Sequence, residues 1–201
     1  MAHRVCPWWL GYFLISPFRR LRQDPAAIVA PYVREGQTVL EPGPGMGFFT
    51  LELARLVGAR GRVVAVEVQL KMLEKLKRRA TKAGLAERID ARLASPDSLG
   101  IGDLAGCVDF TLAFAVIHEL PDAPRFFREI SAAGKSGSQV LIAEPKGHVK
   151  EPDFNIELGL AKEAGFELLA RPEIKGSHTA LLKKHCQKNR VRSRLVLSQR
   201  L

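Results

Sequence analysis

The sequence has little cysteine and spaces none of it for bonding. Cys6, Cys107 and Cys186 are scattered among 201 residues, with no CxxC pair and no histidine or cysteine neighbours at metal-ligand intervals. Neither a disulfide framework nor a bound metal is expected, and a sparse, odd count suits a reducing cytoplasm. Long hydrophobic runs are also missing. The apolar stretch from Trp8 to Ile15 falls far short of the roughly 20 residues needed to span a bilayer. It makes a poor signal peptide too, with Pro7 before it, Phe18-Arg-Arg20 after it and no small-x-small cleavage site. Internal repeats and low-complexity segments are absent. What remains is an ordinary globular composition, 46% hydrophobic, expected to be cytoplasmic and long enough for one domain with a two-sided core.

Charge of one sign is scarce where it would matter most for a nucleic-acid binder. The net charge is +10. Five arginines against Asp24 put +4 in residues 1–34, and Lys188, Arg190, Arg192, Arg194 and Arg200 put +5 in residues 185–201, leaving +1 for residues 35–184. The expected organisation is an N-terminal helical cap over 1–34, a near-neutral domain over 35–184 and a basic, mobile tail over 185–201. Nucleic acid is therefore not the favoured partner. The Trp8–Ile15 stretch, which holds both tryptophans, reads either as a wall of an apolar pocket or as a helix packed on the sheet edge. A membrane-surface role beside Arg19, Arg20 and Arg22 is a third, unfavoured reading.

From about residue 37 short β-branched runs alternate with helical stretches, the pattern of parallel strands joined by crossover helices. Strands are expected at Thr38 to Leu40, Arg62 to Glu67, Ile89 to Leu93, Val108 to Val116 and Val140 to Ala143, the last after a turn at Gly137-Ser138. Helices are expected at Phe49 to Val57, at Gln69 to Ala83 with Leu70, Leu73 and Leu76 inward, and after a cap at Asp122. Another helix follows near Phe154 to Glu163. Two strands then stand close together, Phe166 to Ala170 and Thr179 to Leu182. A loop that short joins antiparallel strands more easily, since a parallel crossover needs a dozen or more residues. Cys107, at the start of an apolar strand, is expected in the core.

Glu41-Pro-Gly-Pro-Gly-Met-Gly47 joins the first strand to the first helix. Closely spaced glycines at such a turn let backbone N–H groups approach a ligand. The spacing excludes the dinucleotide fingerprint G-x-G-x-x-G, which would require glycine at Phe48 or Thr50. Glu41 would repel a pyrophosphate but suits a cationic amino-acid group, and Glu67, at the end of the second strand, can accept both hydroxyls of a ribose.

Glu41, the glycines and Glu67 together resemble the first two motifs of the class I S-adenosylmethionine-dependent methyltransferases, over roughly residues 25–184. The resemblance implies an α/β fold: a Rossmann-like three-layer sandwich with a seven-stranded, mostly parallel sheet whose last strand is antiparallel. It implies S-adenosylmethionine as cofactor and S-adenosylhomocysteine as product. It also implies that Gly43, Pro44, Gly45 and Gly47 pass under the methionine and ribose, that Glu41 receives the amino group, and that Glu67 holds the ribose with Val68 beside the adenine. Where the family carries an acid for the adenine amino group this chain has Ser95, followed by Pro96, which has no N–H, and by Asp97 as a substitute carboxylate. Phe114 and Ala115 fall beside the sulfonium. Phe126 to Ile130 and Val140 to Pro145 resemble the small-molecule branch that includes ubiquinone and menaquinone biosynthesis methyltransferases.

The acceptor is expected to be a small apolar or aromatic molecule. His118 either deprotonates or orients that acceptor, or packs near the cofactor and caps the following turn, and Glu144 and His148 pose the same choice. No Asn/Asp-Pro-Pro-Tyr tetrapeptide follows the fourth strand, which reads Ala113-Phe-Ala-Val116; this counts against methylation of amino groups of adenine or glutamine. Three alternatives stay open: an RNA methyltransferase using the basic termini, a cofactor-binding module without turnover, and a thiol or arsenic acceptor near Cys6.

Overall fold

The computed structural model describes residues 23–185 apart from Pro96. The expectations for Cys6, Trp8 to Ile15, the arginines at 19, 20 and 22, Pro96, Cys186 and the basic tail lie outside the described residues.

Seven strands form one sheet: β1 (Thr38–Pro42), β2 (Arg62–Glu67), β3 (Ile89–Leu93), β4 (Val108–Phe114), β5 (Gly134–Pro145), β6 (Phe166–Ala170) and β7 (Ser177–Lys184). Their order is β3-β2-β1-β4-β5-β7-β6. β1 to β5 pair in parallel, and β7 runs antiparallel to both neighbours, with β6 at the edge. The antiparallel strand foreseen for the far end is thus one place in from it. The loop between β6 and β7 is too short to cross the sheet, so the two form a hairpin, and β7 pairs with β5 along Gln139 to Pro145.

Among the described residues five α-helices cover the two faces: α1 (Pro25–Val29), α2 (Thr50–Leu56), α3 (Leu70–Lys82), α4 (Ala123–Ala133) and α5 (Glu151–Glu163). Strand residues alternate between the faces. Val39, Val63, Phe110 and Leu141 meet Phe49, Leu53 and Val57 around α2, with Val29 of α1, while Ala65 meets Leu73 and Leu76 of α3. Leu40, Val64, Val140 and Ile142 meet Phe126, Phe127 and Ile130 of α4 and Phe154 of α5 on the opposite face. Asp122 caps α4 by accepting from the Arg125 amide at 2.8 Å, and Pro124 sits in the first turn, where its missing N–H costs nothing.

Three local expectations change. β5 begins at Gly134, not after Gly137-Ser138: its pairing with β4 steps from Val108–Gly134 to Phe110–Gln139, so the glycine-containing turn is absorbed as a bulge. In α3 the inward stripe is Met72, Leu73, Leu76 and Ala80, and Leu70 is 54% exposed. Leu70 lies two residues from Met72, about 200° round the helix. Cys107 is exposed, because it belongs to the turn after Gly106 and precedes the buried run that opens at Val108. Among the described residues no helix is long and apolar enough to cross a membrane.

Phe127 is fully buried between α4 and the sheet. Phe127→Ala is expected to lower the unfolding free energy by about 3–5 kcal/mol in urea titrations. A loss below about 1 kcal/mol would mean that this layer does not carry the core.

Candidate functional site

β1 and β4 are neighbours, yet the helices that follow them lie on opposite faces. Such a reversal opens a crevice at the carboxyl ends of the strands. Here the crevice is a cavity of about 250 Å³ lined from the loops after β1, β2, β3 and β4.

The loop after β1 is shaped by its glycines. Gly43, Gly45 and Gly47 take φ of +68°, +54° and +83°, a region that costs side-chain-bearing residues about 1–2 kcal/mol each. At two of them a Cβ would also force a neighbouring side chain to move. A Cβ on Gly43 would lie 2.8 Å from Val116 Cγ2, and one on Gly47 would collide with Leu76 Cδ1. The clearance therefore serves the turn after β4 and helix α3 as well as a ligand. Arg79 of α3 donates to the carbonyls of Met46 and Gly47, holding the loop from behind. Pro44 is buried in the loop, and Gly45 faces the cavity.

Glu67 ties this loop to β2. Its Oε2 accepts from the Gly45 amide at 3.0 Å and its Oε1 from the Gln69 amide at 2.9 Å. The carboxylate is 5% exposed. Burial pushes its pKa up, and the amides of Gln69, Gly45 and Val68 pull it back. Glu41 is buried at the end of β1, and its Oε2 has no hydrogen-bond partner among the described residues. Burial, with the Glu67 charge adding to it, pushes Glu41 up to about 7; the Thr50 hydroxyl nearby offsets part of this without reaching ordinary hydrogen-bond geometry.

On the opposite side Ser95 and Asp97 line the cavity and are exposed, and Val68 beside them is 41% exposed. Glu129 of α4 braces this side, accepting from Ser98 Oγ at 2.9 Å and the Leu99 amide at 2.8 Å. Phe114 packs on Phe49 with ring centroids 4.5 Å apart, and Ala115 follows at φ +54°. Of the expected site residues, Glu41, Gly43, Pro44, Gly45, Glu67, Val68, Ser95, Asp97, Phe114 and Ala115 all line the cavity. Gly47 stands behind the lining against α3. His118 is outside the lining: its Nδ1 bonds Glu144 Oε2, and the neighbouring Glu119 faces the cavity instead. Phe48, Met72, Leu99, Arg125 and Glu129 line the cavity without having been foreseen. Met72 alone left a usable sign, at helical spacing from Leu76.

Six carboxylates line the cavity (Glu41, Glu67, Asp97, Glu119, Asp122 and Glu129) against one basic side chain, Arg125. Arg125 Nε is itself bonded to Glu129 at 3.1 Å. An unpartnered buried carboxylate oxygen in an acidic cavity favours a ligand that carries positive charge. No group of three or more metal-ligating side chains occurs among the described residues.

A carboxyl group whose folded-state pKa lies above its unfolded value stabilises below the unfolded pKa, and that contribution is lost as pH rises through the folded one. For Glu41 the window runs from 4.5 to about 7. Between pH 5 and 8 the ligand-free protein is therefore expected to lose stability relative to Glu41→Gln, by roughly 3 kcal/mol at most. Paired urea titrations across this range check it, and parallel pH profiles for the two proteins would contradict it.

Comparison with known proteins agrees with this geometry. A family described as "Methyltransferase domain" matches residues 34–195. The ubiquinone/menaquinone biosynthesis C-methyltransferase UbiE of Klebsiella pneumoniae is 28% identical over 121 residues, which is 60% of this chain and 47% of that protein. The chain thus spans about half the length of the curated relatives it matches. Among solved structures, a SAM-dependent methyltransferase from Aquifex aeolicus superposes with a TM-score of 0.78 at 22% identity, covering 89% of this chain and 98% of that one. The cyclase SpnF superposes at 0.63 and 22% identity, over 74% and 59% of the two chains, so this fold is not confined to one reaction. The family match covers most of the chain and includes the whole glycine loop. The chain belongs to the methyltransferase domain family, and its cofactor is S-adenosylmethionine.

Proposed function

We propose that the chain transfers the methyl group of S-adenosylmethionine to a small apolar or aromatic acceptor. The observation that carries this reading is the cavity's mixed lining, in which the carboxylates of Glu41 and Glu67 share one space with the apolar side chains of Phe48, Phe49, Phe114, Leu120 and Phe126. The matched relative's name, which refers to ubiquinone and menaquinone biosynthesis, supports an acceptor of that class.

The donor set fits the cofactor. Glu41 Oε2, buried and unpartnered, would take the amino group. Gly43, Pro44, Gly45 and Gly47 would carry the methionine and ribose portions. Glu67 has lone pairs left after Gly45 and Gln69 to accept the ribose hydroxyls, with Val68 beside the adenine and Ser95 and Asp97 at its edge. When bound, the cofactor supplies a methyl group already activated by the sulfonium. The chain's own contribution is alignment for in-line transfer and exclusion of water by Phe114, Ala115 and the aromatic wall. No side chain has to form a bond. Where the acceptor must lose a proton, Glu119 is the carboxylate that reaches the cavity beside the turn after β4.

Calorimetric titration is expected to show binding of S-adenosylmethionine and S-adenosylhomocysteine but not of NAD. Binding of NAD together with silence from both sulfur compounds would overturn the cofactor assignment. Glu67→Gln should weaken S-adenosylhomocysteine by roughly 10- to 100-fold, the range for a hydrogen bond to a charged group. An unchanged dissociation constant would remove its ribose role.

A proton-linked effect follows from Glu41. The bound form needs the carboxylate ionised, and the free protein holds a proton there up to about pH 7. Affinity should therefore rise as pH increases toward 7, by up to about tenfold per unit below it. Glu41→Gln should flatten that slope, and equal slopes in the two proteins would show that the amino group goes elsewhere.

A further inference from the structure

The turn after β4 is built round one buried carboxylate. Glu144, near the end of β5, has no exposed surface. Its Oε1 accepts from the amides of Val116 at 3.1 Å and Ile117 at 2.9 Å, and its Oε2 bonds His118 Nδ1. All three donors come from consecutive residues. Ala115, just before them, is the non-glycine residue with positive φ among the described residues, and its amide donates to Ala143 O at 2.8 Å. A left-handed alanine costs about 1–2 kcal/mol and persists where its surroundings hold it. Here they do so through β5.

The other side of the same turn is cavity wall. Ala115, Val116 and Glu119 line it, and Val116 Cγ2 presses so closely on Gly43 that no Cβ would fit between them. A shift of Val116 or Ile117 on the Glu144 side therefore moves the wall against the glycine loop. His118 stands behind this wall. Its Nε2 lies 4.0 Å from Glu119 Oε1, and the His148 ring packs edge-on at 5.5 Å. Glu157 of α5, with Asp153 nearby, faces the pair from the helix side. Its Oε2 is buried without a partner among the described residues. Burial and the Glu144 charge push the Glu157 pKa up to about 8, and the hydrogen bond that His118 makes to Glu144 raises the His118 pKa.

We propose that His118 and Glu144 form a positioning pair that sets the turn 115–120 against the glycine loop, acting on the cofactor side of the cavity from behind and touching neither cofactor nor acceptor. The proposal rests on the cofactor reading above. It assigns His118 a role distinct from proton abstraction.

The test uses His118→Ala, His118→Asn and Glu144→Gln in the full chain, with S-adenosylhomocysteine as probe. Asparagine retains a donor close to the position of Nδ1, whereas alanine leaves Glu144 Oε2 bare. His118→Ala is expected to weaken binding roughly tenfold and to speed amide hydrogen exchange at Val116 and Ile117, while His118→Asn stays within about threefold of the parent. In Glu144→Gln the His118 ring, followed by its NMR titration, should protonate at lower pH than in the parent. The proposal falls if His118→Ala binds within about twofold of the parent with exchange unchanged. It falls equally if His118→Asn is as damaged as His118→Ala, since the ring itself would then be what the ligand contacts. Should the parent bind no S-adenosylhomocysteine, the cofactor reading fails, and exchange at Val116 and Ile117 in His118→Ala decides the positioning role by itself. Should Glu144→Gln not fold, the two His118 variants decide it.

Discussion

The chain can reverse over the end of β1 only with glycines at positive φ, and two of those glycines leave room for side chains arriving from elsewhere. Val116 occupies the space at Gly43 and Leu76 the space at Gly47. The loop is thus fixed between β4 and α3, and Arg79 holds its carbonyls from the outer side. The hydrogen bond from Gly45 to Glu67 follows from that placement, because it needs the loop to arrive at the end of β2. The strands themselves could tolerate many apolar sequences. The loop tolerates very few, and the cavity depends on it.

Electrostatics set the second constraint. Glu41 is buried with its Oε2 unpartnered among the described residues, and ionising it there costs the free protein stability, which is why its pKa is raised. A fold selected for stability alone would place an apolar residue there. A cationic ligand changes the balance, since it pairs with the carboxylate in a medium where the attraction is stronger than in water. Glu67 differs because two backbone amides already compensate it. The two acids therefore differ: backbone amides hold the Glu67 carboxylate and with it the loop, while Glu41 Oε2 is left without a hydrogen-bond partner among the described residues.

What the sequence discloses follows from the range of each interaction. The first two strands, the Asp122 cap and the glycine loop with Glu67 are legible because hydrophobic period, capping chemistry and turn residues act over a few positions. The start of β5 was obscured because a bulge accommodates Gly137 inside a strand, where glycine otherwise reads as a turn. Leu70 and Met72 exchange places because an apolar count does not fix where a helical stripe begins. Glu129 and Arg79 left no trace, and Glu144 stands out in the sequence only as a candidate beside the acceptor, since each acts on a loop about 30 residues away through a side-chain contact that no local pattern encodes.

This difference in range separates the glycine loop from the rest of the cavity lining. The loop and the end of β2 are written in two short segments, so a motif suffices to find them. The rest is assembled from the loops after β3 and β4 and from helix α4, with Glu129 holding the loop after β3 and Glu144 the turn after β4. A fold arranged in this way can hold one cofactor while its apolar wall is refitted to different molecules, and a cyclase with the same architecture is consistent with that freedom.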